Sequence, residues 1–236
     1  MRVSVISDVH GNLAALEAVL AAAGEGTVWC LGDTVGYGAR PNECCALVRE
    51  RAAICLAGNH DLAVRGTLDL NDFAGAAGVA ARWTRGVLDD ASRVFLDSLE
   101  SVATADRVEL FHASARDPVW EYVLSDEAAA VTLALTEAPV VLVGHSHVAL
   151  RISTNGVGGL APAGTEVELA GARHLLNPGS VGQPRDGDPR AAWLALDLDA
   201  GTATFHRVEY DVERTQAEIR AAGLPGMLAD RLVLGQ

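Results

Sequence analysis

The chain of 236 residues lacks several features that would point to particular functions. It has no basic stripe: 18 Lys and Arg stand against 31 Asp and Glu, a formal net charge of −13. Proteins that grip nucleic acid or anionic membranes do so through clustered Lys and Arg, so neither broad nucleic-acid binding nor membrane association is expected. Cysteines number four (Cys30, Cys44, Cys45, Cys55), with no C-x-x-C pair. That spacing argues against a disulfide or zinc scaffold, and Cys30 and Cys55, set in apolar runs, read as small core hydrophobes. No apolar run reaches the ~20 residues that cross a bilayer. The N-terminus enters a strand-like run, Arg2 to Ser7, without a cationic and apolar leader, and a cytoplasmic protein is the expectation. Aromatics are scarce, with four Trp, three Tyr and four Phe. Half the residues are nevertheless apolar, so Ala, Val and Leu carry a sizeable core.

What is present is a rhythm. Val3–Ser7, Thr27–Leu31 and Ala53–Ala57 read as buried strands. Asn12–Ala23 reads as a helix with Leu13, Leu16, Val19 and Leu20 at helical spacing, and Pro41–Arg51 as a second. This β-α-β-α-β run predicts a parallel sheet covered by helices. Residues 62–104 break the pattern and read as a helical insertion or cap, helical around Asp72–Arg82 and Asp90–Leu99. Arg107–Phe111 resumes as a strand, Ser125–Glu137 is helical, and Pro139–Val143 is another buried strand. Short strands follow around Ile152 and over Thr165–Leu169, Arg173–Leu176, Ala191–Leu198 and Thr202–Val208, and predict a second, largely antiparallel sheet. Residues 211–236 form a helical tail broken at Gly223-Leu224-Pro225-Gly226. There is no repeat and no low-complexity stretch, so one domain is expected.

Each apolar strand runs directly into polar, glycine-flanked residues: Asp8 and His10, then Asp33, then Asn59-His60-Asp61, then His112, then His145 and His147. Ligands of open α/β sheets sit at the carboxyl ends of strands, so these groups are predicted to share one crevice. Carboxylate, imidazole and amide oxygen together suit two divalent ions such as Mn, Fe, Zn or Co. In extended chain, residues two apart project to the same side, which makes Asp8 with His10, and His145 with His147, two pincers. Asp33 has two oxygens with which to bridge two ions. A single histidine is ordinarily a satisfied core or surface residue; five of the seven histidines at strand ends, in order, are not explained that way.

The blocks Asp8-Val9-His10, Gly32-Asp33, Gly58-Asn59-His60-Asp61, His112 and Gly144-His145-Ser146-His147 resemble the calcineurin-like metallophosphoesterase superfamily, over almost the whole chain. The fold this resemblance implies is an α/β, four-layer α/β/β/α sandwich of two mixed sheets. It implies that Asp8, His10 and His147 hold one metal, that Asn59, His112 and His145 hold the other, and that Asp33 bridges them. His60 is then a catalytic residue facing the phosphate and its leaving group. The extended motifs, including Asn177-Pro178-Gly179-Ser180, look like the small bacterial members often described as phosphodiesterases.

The departures are informative. Protein Ser/Thr phosphatases carry an Asp three residues after the bridging one, followed by Arg; here Gly36 and Tyr37 stand there. A protein phosphatase is therefore not expected, and the usual partner of the catalytic His is missing. His112 is followed by Ala113 where glycine is common.

The expected activity is dinuclear hydrolysis of a phosphodiester by a hydroxide shared between the ions, on a small phosphorylated substrate. The alternatives are a phosphomonoesterase or nucleotide pyrophosphatase with the same site, and a scaffold that kept the fold. Asn12, Asn177 and Arg185 are further candidates for touching substrate. The competing readings are a helix cap for Asn12, a turn for Asn177 and a solvated loop for Arg185. Trp83 reads as core, and the apolar tail Leu224–Leu234 packs either on its own chain or on a neighbour, which leaves monomer and homodimer both open.

Overall fold

A computed structural model describes residues 1–236. The opening rhythm folds as its pattern dictates. Strands β1 (Arg2–Ile6), β2 (Thr27–Cys30) and β3 (Ala52–Cys55) are parallel, joined by helices α1 (Leu13–Ala23) and α2 (Pro41–Arg51). Asn12 caps α1 by accepting from the Ala15 N–H at 3.2 Å, and Gly24 ends it. Pro41 opens α2 at a position where its missing N–H costs nothing.

The insertion is helical, as α3 (Asn59–Arg65), a 3₁₀ turn at Leu70–Asp72, α4 (Gly75–Val87) and α5 (Asp90–Asp97). Its boundaries differ from expectation at both ends. Helix α3 begins inside the Asn59-His60-Asp61 block, and the last residues assigned to the insertion belong to strand β4 (Val102–Ala105), antiparallel to β5 (Val108–Phe111). Strand β4 is a half-exposed edge strand, so it lacks the buried apolar run that marks a central one.

The remaining elements are α6 (Asp126–Ala134), β6 (Val140–Leu142), β7 (Ala149–Ser153), β8 (Gly158–Leu160), β9 (Glu166–Glu168), β10 (His174–Pro178), β11 (Ala191–Asp197), β12 (Thr202–Val208), α7 (Val212–Ala221), α8 (Gly226–Asp230) and a 3₁₀ turn at Arg231–Leu234. Two six-stranded sheets result, ordered β3-β2-β1-β11-β12-β9 and β4-β5-β6-β10-β7-β8. The late strands therefore do not make a sheet of their own. Strand β11 lies antiparallel along β1, with Val3 opposite Leu196 and Val5 opposite Leu194, whereas β10 runs parallel to β6. Strand β11 carries apolar residues on both faces, Leu194 and Leu196 toward one core and Ala191 and Trp193 toward another, and such a strand belongs in a sheet interior.

The same alternation sets the layers. Val3 and Val5 of β1, Val140 and Leu142 of β6, Leu176 of β10 and Phe205 of β12 fill the core between the sheets. Ile6 packs outward with residues of α1, α2 and α5, and Val141 packs outward under Ala128, Ala129 and Leu133 of α6. The architecture is thus the four-layer α/β/β/α sandwich. Phe205 is fully buried; truncating such a ring costs about 3–5 kcal/mol. The tail packs on its own chain: Ile219, Leu224, Leu228 and Leu232 cluster with Ala80 of α4, and Trp83 lies against them. All four cysteines are free. No helix is long and apolar enough to cross a membrane.

Candidate metal centre

The loops leaving β1, β2 and β3 in one sheet and β5 and β6 in the other meet at one place. The approach is close: a Cβ on Gly144, just after β6, would collide with Ser7 Oγ and crowd the Asp8 carboxylate, so the two sheets touch there through a residue without a side chain. The His145 N–H donates to Asp8 Oδ2 at 3.1 Å, and the Ser180 hydroxyl donates to the Asp8 carbonyl at 2.8 Å.

Seven of the sequence-derived residues converge. Asp8, His10, Asp33 and His147 form one group with ligand atoms all within 4.8 Å of one another, and Asp33, His112 and His145 form a second. Asp33 is common to both. Its Oδ2 lies 3.5 Å from His10 Nε2 and 3.6 Å from His112 Nε2, while Asp8 Oδ1 lies 3.4 Å from His147 Nε2. Asn59 Oδ1 joins the second group at 3.2 Å from His112 Nε2.

The pincers arise differently from the extended chain expected for them. Asp8, His10, Asp33, His145 and His147 all have positive φ, between 50° and 63°. Left-handed turns, not pleated strand, aim these side chains. Each such non-glycine residue costs of order 1–3 kcal/mol and persists only where its surroundings over-determine it. Part of that support is backbone pairing between the loops: the Asp8 N–H donates to the Gly32 carbonyl at 3.0 Å and the His10 N–H to the Asp33 carbonyl at 2.9 Å.

The donor set fits metal ions on a direct chemical ground. His10 Nδ1 faces the Val35 carbonyl at 3.1 Å, His147 Nδ1 the Gln183 carbonyl at 2.7 Å, and His112 Nδ1 the Leu31 carbonyl at 2.8 Å. A carbonyl only accepts, so each Nδ1 carries the proton and each Nε2 presents a lone pair. Yet His10 Nε2 and His147 Nε2 stand 3.0 Å apart, and His112 Nε2 faces the amide oxygen of Asn59. Burial pushes the pKa of His10 and His147 well down and that of His112 down to about 4, which disfavours a charged ring. Lone pairs facing lone pairs in a buried site call for cations between them. Asp8 Oδ1, fully buried without a hydrogen-bond partner, calls for the same. His145 is turned the other way: its Nε2 faces the Trp120 carbonyl at 3.2 Å, which leaves Nδ1 for an ion.

His60 is buried beside these groups, in the first turn of α3. Burial lowers its pKa to about 3, and its Nδ1 has no partner. Rings hold it on three sides: Tyr37 at 4.5 Å, His10 at 4.9 Å and Phe73 at 5.0 Å between centroids. Asp61, the last residue of the Gly58-Asn59-His60-Asp61 block, is a brace. Its carboxylate accepts from the Thr34 N–H at 3.2 Å, the Val35 N–H at 3.1 Å and the Gly58 N–H at 3.0 Å, tying the loop of Asp33 to that of Asn59.

A pocket of about 260 Å³ opens over the centre, walled by Tyr37, His60, Phe73, Trp120, Tyr122 and Arg185, with Asp33, Asn59, His145 and His147 at its base. Arg185 thus reaches the pocket, where it stacks over the Tyr37 ring at 5.8 Å and donates to Gln183 Oε1 at 3.0 Å. Asn12 and Asn177 do not line it, and the helix-cap reading of Asn12 is the one its hydrogen bonds match. The Asn12 amide caps α1, donates to the Gly182 carbonyl at 2.9 Å and accepts from Thr215 at 2.9 Å. The Asn177 amide donates to the Gly144 carbonyl at 2.7 Å and to Ser146 Oγ at 3.0 Å, and accepts from the Gly179 N–H at 2.9 Å. Both are buried behind the ligand loops with their hydrogen bonds spent on holding those loops. Phe73, Trp120 and Tyr122 carry no local signal in the sequence; they come from the insertion and from the long loop after β5.

Two packed mixed sheets whose strand ends converge on paired ligand groups sharing one carboxylate are the arrangement that the resemblance to metallophosphoesterases implied. Residues 1–201 match the model of the calcineurin-like phosphoesterase superfamily domain. The chain belongs to that superfamily of metal-dependent phosphate-ester hydrolases. It is similar to an uncharacterised protein of Methanocaldococcus jannaschii, 38% identical over 242 residues covering 99% of this chain and 98% of the relative. Its fold superposes on the crystal structure of a metallophosphoesterase from Sphaerobacter thermophilus with a TM-score of 0.92, at 42% identity and full coverage of both chains. A hypothetical protein of Pyrococcus horikoshii shares the fold with a TM-score of 0.81 at 17% identity, over 100% of this chain and 98% of the other.

Proposed function

We propose that this protein is a dinuclear phosphodiesterase acting on a small phosphorylated substrate. The observation that carries the dinuclear reading is Asp33, shared by two ligand groups whose other members present unprotonated nitrogens and carboxylate oxygens to the same space. Asp8, His10 and His147 would hold one ion, Asn59, His112 and His145 the other. Two divalent ions in such a site supply water activation near neutral pH and offset charge on the phosphoryl oxygens. Carboxylate, imidazole and amide oxygen suit Mn, Fe, Zn or Co, and we take Mn as the first to test.

The chain's own residues do the rest. Asp61 and Asn177 keep the ligand loops in register. Ring contacts hold His60 in one orientation at the pocket wall, where it offers a hydrogen bond to the leaving oxygen. Arg185 is the cation of the wall, Asp72 adds a carboxylate, and the rest of the wall is rings with Ala74 and Ala77. One cation, offset by the Asp72 carboxylate, and otherwise largely apolar walls match a diester, with one charge and a second ester group, better than a doubly charged monoester. Hydrolysis of bis-p-nitrophenyl phosphate and p-nitrophenyl phosphate, compared on metal-stripped protein with Mn²⁺ added back, tests this. Preferential turnover of the diester is expected; preference for the monoester would overturn the diester assignment, and turnover of neither by protein holding two ions would overturn the enzyme reading.

A further inference from the structure

The walls of the pocket are unusual for this chain. Aromatic residues make up only 5% of it, yet Tyr37, Phe73, Trp120 and Tyr122 all line one pocket. Two series of rings lead outward from the metal centre. One runs from His60 to Phe73 at 5.0 Å and on to Trp120 at 5.2 Å. The other is Tyr122, stacked on the metal-facing His145 at 4.2 Å with the planes within 8°. The outer members are not core: Trp120 is 38% exposed and Tyr122 46% exposed. Large rings left in water at the mouth of a pocket over the metal centre mark a place where a ligand covers them.

Building on the phosphoesterase reading, we propose that Phe73, Trp120 and Tyr122 form a subsite for a planar ring, and that the substrates are nucleoside phosphates whose base lies against this wall while the phosphate lies over the metal centre. Rings of this kind bind bases by stacking, with little demand on base identity. The pocket volume of about 260 Å³ suits a single small nucleotide rather than a duplex or a protein loop. The formal charge of −13 also disfavours long polyanions, which need many cationic contacts. Arg185, which lines the same pocket beside Tyr37, supplies a charge for the phosphate end. The position of Trp120 is set by its own backbone, since its carbonyl accepts from His145 Nε2, so the indole can be altered while that anchor stays.

The test is direct binding by calorimetry to the Mn²⁺-loaded protein, comparing adenosine 5′-monophosphate with ribose 5-phosphate. The two share the phosphate and sugar and differ in the base. A Kd ratio of roughly tenfold or more in favour of the nucleotide is expected from one good stack. Trp120→Ala is expected to bring that ratio to near one, and Trp120→Phe to retain most of it. Equal binding of the two ligands by the unaltered protein, or a ratio unchanged by Trp120→Ala, overturns the subsite. Turnover of bis-p-nitrophenyl phosphate by the same preparation reports on the phosphoesterase reading separately, so the ring subsite can fail while the hydrolase assignment stands.

Discussion

The Nδ1 of His60 lies 2.5 Å from where a Cβ on Gly36 would stand, and its Cγ and Cβ lie 2.9 and 3.1 Å from the same point. The position occupied by an Asp in the protein phosphatases is therefore filled by the histidine ring itself, and Gly36 also has φ +97°, where side chains are strained. His60 is positioned by rings in place of a carboxylate. We expect Gly36→Asp to displace His60 instead of assisting it, and to lower kcat/KM on bis-p-nitrophenyl phosphate by roughly tenfold or more with both ions retained. Activity at or above that of the unaltered enzyme would show that the ring position is not what matters.

His60 and Asp33 separate chemistry from metal holding. His60→Ala is predicted to keep two ions per chain while losing about 10²- to 10⁴-fold in turnover, the usual span for a lost proton-transfer or hydrogen-bonding group. Asp33→Ala, which removes the carboxylate common to both ligand groups, should lose the ions themselves. Elemental analysis of the two purified variants beside their rates decides this; parallel loss of metal in both would remove the distinction.

Asp61 makes a structural prediction. Its carboxylate satisfies three buried N–H groups, and each buried donor left unpaired costs about 1–3 kcal/mol. Asp61→Ala should lower unfolding free energy by several such increments and weaken metal binding, because the Asp33 and Asn59 loops lose their tie. Denaturant unfolding with and without Mn²⁺ reads both effects. A loss below ~1 kcal/mol would mean that water replaces the carboxylate.

The metal-stripped protein should respond to pH in a definite direction. Burial raises the Asp8 pKa to about 7, and raises that of Asp33 well above the ordinary carboxylate value. A carboxyl with a raised folded-state pKa contributes stability that is fully present below its unfolded pKa and is lost as pH rises through the folded value. The buried histidines, with folded pKa values held down by burial, push the other way around their unfolded pKa of about 6.5 and are neutral in both states only above about pH 7.5, so the carboxyl trend is unopposed there. Thermal unfolding of stripped protein is expected to fall in Tm above about pH 7.5, carried chiefly by Asp33, the more strongly raised of the two carboxyls, and Mn²⁺ is expected to abolish the fall by replacing the protons. A flat profile for stripped protein would contradict the burial of uncompensated carboxyls.

Much of this centre was legible before folding. The blocks around Asp8, Asp33, Asn59, His112 and His145 stand directly after apolar runs, and both the runs and the residues that follow them are local properties of the chain. Alternation along Val3-Ser4-Val5-Ile6 or Val140-Val141-Leu142 likewise carries the two faces of each strand within a few residues. Where the sequence left alternatives open, the deciding contact was distant. Asn12 and Asn177 each had two readings in the sequence, and it is Thr215, Gly182, Gly144 and Ser146 that take up their amides. The late strands looked like one sheet until β11 paired with β1 across nearly the whole chain.

By itself, then, the sequence determined the donor types, their order and the strand ends that carry them, since these follow from composition and short-range periodicity. Only the tertiary structure decided how the donors are aimed. The left-handed turns at Asp8, His10, Asp33, His145 and His147 are strained for such residues and persist because loops from two sheets hold one another. It also decided that His60 rests among Tyr37, His10 and Phe73, and that Trp120 and Tyr122 form the mouth of the pocket. Those relations join residues from the insertion, the loop after β5 and the strand ends, and they exist only once the two sheets have packed.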